Sequence, residues 1–243
     1  RYTGKLDSLA CLVEDYVYDD INTVPRQHIY AGLNNLFGEV TWFYPGSGAA
    51  SNNRSVTYNY MDSTPERPVW TTSTLARSTW SDSHIFGKPH ATEYDSDATS
   101  DSTVGNTDGV TTYYEHETGV NQIKAGSSTA IAASIESGDF DISAVQGGAD
   151  LRGDGEHIMK IRRVLPDFLQ QTGDARVTLN LKNYPTDAQA SSSLGPFTTT
   201  TSTTKIDTRA RARAISLKVD NTSTGQHWKL GTFRLDIQAD GRR

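Results

Sequence analysis

The chain has 243 residues, a formal charge of −6, 35% hydrophobic residues, 20 glycines and one cysteine. That length permits two modest domains with ordinary cores, the lone cysteine excludes an intrachain disulfide, and the turn-rich composition argues against a helical bundle. No run of 18 apolar residues occurs, and Arg1-Tyr2-Thr3-Gly4 has neither an initiator Met nor a signal-peptide pattern, so the expectation is a soluble portion of a longer chain.

Cys11 lies in the apolar run Leu9-Ala10-Cys11-Leu12-Val13 and reads as a small core hydrophobe. Pro25 to Leu36, with Ile29, Leu33 and Leu36 at helical spacing, is the one segment with a helical pattern, weakened by Gly32 and the Asn pair. Glu39 to Tyr44 and Ser55 to Tyr60 alternate with period 2 around the turn signal Pro45-Gly46-Ser47-Gly48, which predicts a hairpin. Short strands are expected at Ala76 to Trp80 and Gly109 to His116, with an exposed acidic loop, Asp95 to Asp108, between them. Further on, Ile131 to Glu136 and His157 to Val164 read as strands on either side of a Gly/Asp loop from Gly147 to Glu156. Arg176 to Lys182 is the cleanest half-buried strand, with Val177, Leu179 and Leu181 on one face; Ala214 to Val219 repeats its pattern, and Trp228 to Ile237 closes the series. The fold class is all-β, and the second half suits a sandwich.

Several of these segments carry a family resemblance. The order Asn34, Glu39 to Pro45, Tyr58-Asn59-Tyr60, Trp70, Ala76-Arg77, Lys88-Pro89, Asp108-Gly109 and Tyr114 to Gly119 is similar to the last blades of the tail nozzle proteins of short-tailed bacteriophages, also called packaged-DNA stabilisation proteins. The likeness continues through Glu136 to Ile142, Val164 to Phe168, Gly195-Pro196-Phe197, Arg209 to Arg213, Trp228 to Gly231, Arg234 to Ile237 and Gly241-Arg242-Arg243. It spans nearly the whole chain in collinear order and marks it as resembling a C-terminal portion of that family. The resemblance implies an incomplete β-propeller-like region over residues 1–125 and a β-sandwich-like distal domain over 126–243. It also implies a structural virion protein of the phage tail, in a ring, by resemblance a hexamer, beneath the tail adaptor. A tail needle, fibre or spike and transiently contacted packaged duplex DNA are the other implied partners. No catalytic residue, cofactor or metal comes with it.

Signals for chemistry are weak. In Glu115-His116-Glu117, strand alternation puts the carboxylates on one face and the imidazole on the other, which favours a structural role over catalysis or metal binding. His84, His90 and His116 lack zinc-site spacing, and Asp95, Asp97 and Asp101 lack the order of a calcium loop. Asp150, Asp154 and Glu156 read as a solvated loop, and Arg152-Gly153-Asp154 is too short to indicate adhesion. Asp139 and Asp141 flank Phe140 and read as a polar outer face rather than a glycosidase pair. Packing is the expected use of Trp42, Trp70, Trp80 and Trp228, with sugar stacking the alternative. A glycan-binding module or a polysaccharide-degrading enzyme is therefore the rival to the structural reading.

The candidate contact residues are Arg209, Arg211 and Arg213, whose alternate spacing places three guanidinium groups on one side of a strand with Ala210, Ala212 and Ala214 on the other. From Lys205 to Arg243 there are nine Lys/Arg against four Asp/Glu, leaving −11 on the first 204 residues. With so acidic a body on each protomer, the ladder is expected to pair with carboxylates of a neighbouring subunit; phosphate contact is the alternative.

Overall fold

The structure is a computed structural model and describes residues 9–83, 85–95, 110–124, 126–142, 157–184 and 192–242. The protein is mostly β, in several antiparallel sheets none of which closes. The chain divides into two compact units, Arg1–Thr118 and Gly119–Arg243. The first carries 7 Lys/Arg against 16 Asp/Glu, the second 16 against 13, so the acidity belongs to the first unit (−9) while the second is weakly basic (+3).

In the first unit a helix, α1 (Glu14–Asp20), precedes a 3-10 turn at Arg26–His28 and four strands. These are β1 (Tyr30–Asn34), β2 (Glu39–Tyr44), β3 (Arg54–Thr64) and β4 (Arg67–Ser73), each hydrogen-bonded to the next in a four-stranded meander. The expected hairpin is present, with Trp42 opposite Val56 and Phe43 opposite Ser55. The helical expectation for Pro25 to Leu36 fails: one 3-10 turn forms and the rest is β1, because strand pairing to β2 satisfies its backbone and Gly32 must pass close to a tryptophan. The helix that does form has no buried residue, hence no apolar period to detect; acidic Glu14 and Asp15 in its first turn suit the helix dipole. Cys11 is only half-buried beside a 73% exposed Leu12, so it is not a core residue; Trp70, whose indole N–H donates to the Ala10 carbonyl, takes up this segment by a polar contact instead.

Strands β5 (Thr79–Ser81), β6 (His90–Asp95) and β7 (Val110–Glu115) form a second meander. The strand expected over Ala76 to Trp80 begins only at Thr79, because Arg77 is drawn into the interior. Trp80 joins the two meanders: its ring packs on Phe43 (5.5 Å between centroids), its N–H donates to the Leu33 carbonyl, and it lies against the bare Cα of Gly32. A Cβ at position 32 would sit 2.5 Å from Trp80 Cδ1, closer than any real contact allows.

The second unit adds β8 (Asn121–Lys124), β9 (Ser127–Ala130), β10 (Ala133–Glu136), β11 (His157–Leu165), β12 (Phe168–Thr172) and β13 (Ala175–Lys182). There follow β14 (Ser192–Thr199), β15 (Ile206–Ala212), β16 (Ala214–Asn221), β17 (His227–Leu230) and β18 (Arg234–Arg242). One sheet has the order β10-β16-β13-β14 and another β15-β11-β18, with two-stranded β12-β17 and β8-β9 beside them. Val177, Leu179 and Leu181 of β13 point inward as their alternation predicts. They meet Ile215 and Val219 of β16 and, from the other large sheet, Met159, Ile161 and Val164 of β11 with Ala210 and Ala212 of β15 in one apolar cluster. Burying each such Leu or Ile stabilises the unit by about 1.5–3 kcal/mol. The strand expected over Trp228 to Ile237 is in fact two, in different sheets. The break falls at Gly231, whose N–H donates to the Asp167 carbonyl and whose missing side chain leaves room for Asp167.

Candidate functional site

The outward face of the β15-β11-β18 sheet brings together Lys160, Arg162, Arg163, Arg209 and Arg211. On β15, Ile206, Ala210 and Ala212 are buried and the turned-in Thr208 donates to the Ile161 carbonyl, so Asp207, Arg209 and Arg211 face out. On β11, Met159 and Ile161 point inward, but the next inward residue is Val164, three positions on. The register against both neighbours shifts between Ile161 and Arg163, a β-bulge that leaves two consecutive arginines, Arg162 and Arg163, exposed together. The uniform alternation expected for this strand therefore breaks at the Arg-Arg pair, where continued inward pointing would bury a guanidinium.

Some of these charges are already paired. Arg163 Nε donates to Asp207 (3.2 Å), which also takes Lys205 (3.0 Å), and together they hold the Asp207 carboxyl below the usual carboxylate range. Arg211 reaches Asp240 of β18 at 2.5 Å. Among the described residues the side chains of Lys160, Arg162 and Arg209 have no hydrogen bond or ion pair. These three line a cavity of about 390 Å³ with Arg163, Asp207, Thr208 and Asp236.

The three-rung arginine ladder is thus not one surface. Arg209 and Arg211 share the outward face of β15, while Arg213 lies past the end of that strand, half-buried at the corner where the chain crosses to β16, its backbone N–H bound to the Lys182 carbonyl. The sequence singled out Arg209 but missed Lys160 and Arg162, which register brings beside it. The Arg162-Arg163 doublet inside an alternating strand was the available signal.

The Glu115-His116-Glu117 triplet is built into the first unit. Arg77, 4% exposed, donates through Nε to His116 Nε2 (2.9 Å), sits over the Tyr114 ring (4.0 Å) and faces the Glu93 carboxylate at 3.6 Å. An imidazole that accepts at Nε2 is neutral; burial first, and then Arg77 and His90, push the His116 pKa down to about 4. Trp80 packs on the same ring at 4.6 Å. Glu115 lies 3.8 Å from Lys88, and Glu117, the one described non-glycine residue at positive φ (57°), accepts from Asn34 Nδ2 at 3.0 Å. The strand ends at Glu115, so alternation does not govern the triplet as expected.

His90 stands opposite Glu115 and stacks on Tyr113. His84, Asp97, Asp101, Asp150, Arg152, Asp154 and Glu156 lie outside the described residues. Among the described residues no three His, Cys, Asp or Glu side chains are grouped to hold a metal ion. Asp139 and Asp141 do not make a polar outer face: Asp139 is bound by Lys182 (2.7 Å), whereas Asp141 is 5% exposed, since only Phe140 pairs with Ile215 and no regular strand sets their sides. Trp42, Tyr58 and Trp70 pack together across neighbouring strands, and Trp228 donates to Asn221 at 3.0 Å.

No protein-family model matches the chain, and no curated protein is significantly similar to it in sequence.

Proposed function

We propose that the protein is a structural component of a phage tail nozzle, a virion protein that forms the distal DNA conduit, attaches to the tail adaptor and helps retain and then eject packaged DNA. The observation that carries the reading is the convergence of the resemblance motifs. Ala76-Arg77, Tyr114-Glu115-His116 and Asn34, far apart in sequence, meet in one polar knot that joins the two meanders of the first unit. A four-stranded meander followed by a three-stranded one packed on it through Trp80 supports a propeller-like region, whose blades are four-stranded sheets stacked on their neighbours. Two larger sheets feeding one apolar cluster support a sandwich-like distal part. The function is non-enzymatic in this reading, and the residues with the most chemical appearance serve as struts.

Electron microscopy of the purified protein, alone and with its adaptor, tests the proposal: six-fold rings are expected, and a protein that stays monomeric in both samples counts against it. Glycan binding is the second reading, favoured by the half-exposed Trp42, Tyr58 and Trp70. Glycan-array binding abolished by Trp42→Ala, or turnover of a bacterial polysaccharide, would decide for it.

A further inference from the structure

We infer that the cleft at the β11 bulge binds the phosphodiester backbone of duplex DNA through Lys160, Arg162 and Arg209. Three cations with unpaired side chains line one open cavity, on a sheet whose other face packs into the apolar cluster, so they are held near one another without being neutralised. The bulge completes the site: in a regular strand Arg163 would follow Ile161 into the core, and here it stands out beside Arg162, where it can hold Asp207 and leave Arg162 open. Arg162 and Arg209 offer planar forks suited to two phosphate oxygens, and Lys160 adds a point charge between the strands that carry Arg209 and Asp236.

The alternatives fit less well. A protein interface that buried three cations would need three carboxylates in register to offset their desolvation. Phosphates come at regular spacing along a duplex and can be met with water retained. The cavity lining has no aromatic ring, the platform on which unpaired bases and sugars stack, so a duplex is favoured over a single strand or a neutral glycan. Asp207 and Asp236 in the lining keep the cleft from becoming a tight trap, which suits a contact that DNA slides past.

The inference rests on the nozzle reading only in taking DNA as the occupant. Its test is a fluorescence-anisotropy titration of the full chain with a short labelled duplex from 50 to 200 mM salt. Three released counterions give a log–log slope of about −2.7, so affinity should fall roughly 40-fold over that range. Lys160→Gln, Arg162→Gln and Arg209→Gln should each weaken binding for all sequences and reduce the slope by about one. Lys229→Gln, exposed on β17 outside the cleft, should change neither beyond the loss of a distant charge. Circular dichroism of each variant confirms the fold, since all three side chains face solvent.

No duplex binding at 50 mM salt overturns the inference, as does equal weakening by Lys229→Gln, which would mean diffuse attraction. Tighter binding of a single strand than of the duplex, or inorganic phosphate binding with no duplex binding, overturns it too. Rings that form without DNA binding remove this inference and leave the nozzle reading standing; DNA binding by a protein that never assembles does the reverse.

Discussion

Replacing Arg77 by Met is the sharpest test of how the first unit is held together. Met keeps an unbranched apolar stem but removes the charge, so Glu93, 12% exposed, loses the Arg77 guanidinium and His116 Nε2 loses its donor. Removing one partner of a buried pair typically costs about 3–5 kcal/mol. Glu93 keeps the Tyr114 hydroxyl at 2.8 Å, and the desolvation of the guanidinium, which holds its pKa below the usual arginine value, is recovered. Both effects place the loss at the low end, about 3 kcal/mol. With a urea m-value of roughly 1–3 kcal/mol/M, the midpoint should drop by about 1–3 M. The assay is tryptophan emission in a Trp228→Phe background, which restricts the signal to Trp42, Trp70 and Trp80, the last stacked on His116. Adding Glu93→Gln should restore part of the loss, since the carboxylate charge that faced Arg77 is then gone. A single variant that loses less than about 1 kcal/mol, the scale of an exposed pair, would refute the buried-pair reasoning.

Acid should weaken the first unit through His116. The unfolded imidazole takes its proton near pH 6.5 and the folded one only near 4, so stability is complete above that window and is lost as pH falls from about 6.5 to about 4. Because the ring is partly exposed, screening reduces the loss to roughly 2 kcal/mol, and His116→Gln should abolish this share of the pH dependence in parallel urea titrations. Glu39→Gln should stabilise the protein near neutral pH: burial, then Glu117 and Asp62, raise the Glu39 pKa, so its ionised form is a cost incurred as pH rises through that raised value. The benefit should vanish in acid, and equal melting temperatures for variant and parent at pH 7 would count against it. Leu179→Ala, at the centre of the second unit and fully buried, should cost about 2–5 kcal/mol by calorimetry.

How much of this was legible in the sequence varied with the kind of signal. The strand over Arg176 to Lys182 was readable because one face is in the core and the other is not, so period 2 is written directly in Val177, Leu179 and Leu181. The helix at Glu14–Asp20 left no trace because it buries nothing. The division of the last segment into β17 and β18 was hidden because Gly231 is a break only through its fit against Asp167, distant in sequence. The candidate site was half visible. Arg209 stood out by spacing along one strand, but Lys160 and Arg162 join it only through pairing across strands, and Arg213 left the group because β15 ends at Ala212. Arg77 drew no attention as a core residue, since a charge is rarely buried unless several partners converge on it, and those partners come from β6 and β7.

The close approach of Gly32 to Trp80 bears on how this chain could have drifted over generations. The two positions are not independent: a side chain at 32 becomes tolerable only after the indole at 80 has been replaced by something smaller, and that replacement alone leaves a hole against Phe43 and strips the Leu33 carbonyl of its donor. Each single step passes through a less stable molecule, so the pair should persist together or change together. In a collection of descendants, substitutions at 32 without a matching one at 80 should be rare, and the bare backbone of β1 should be as faithful a lineage marker as the tryptophan it accommodates.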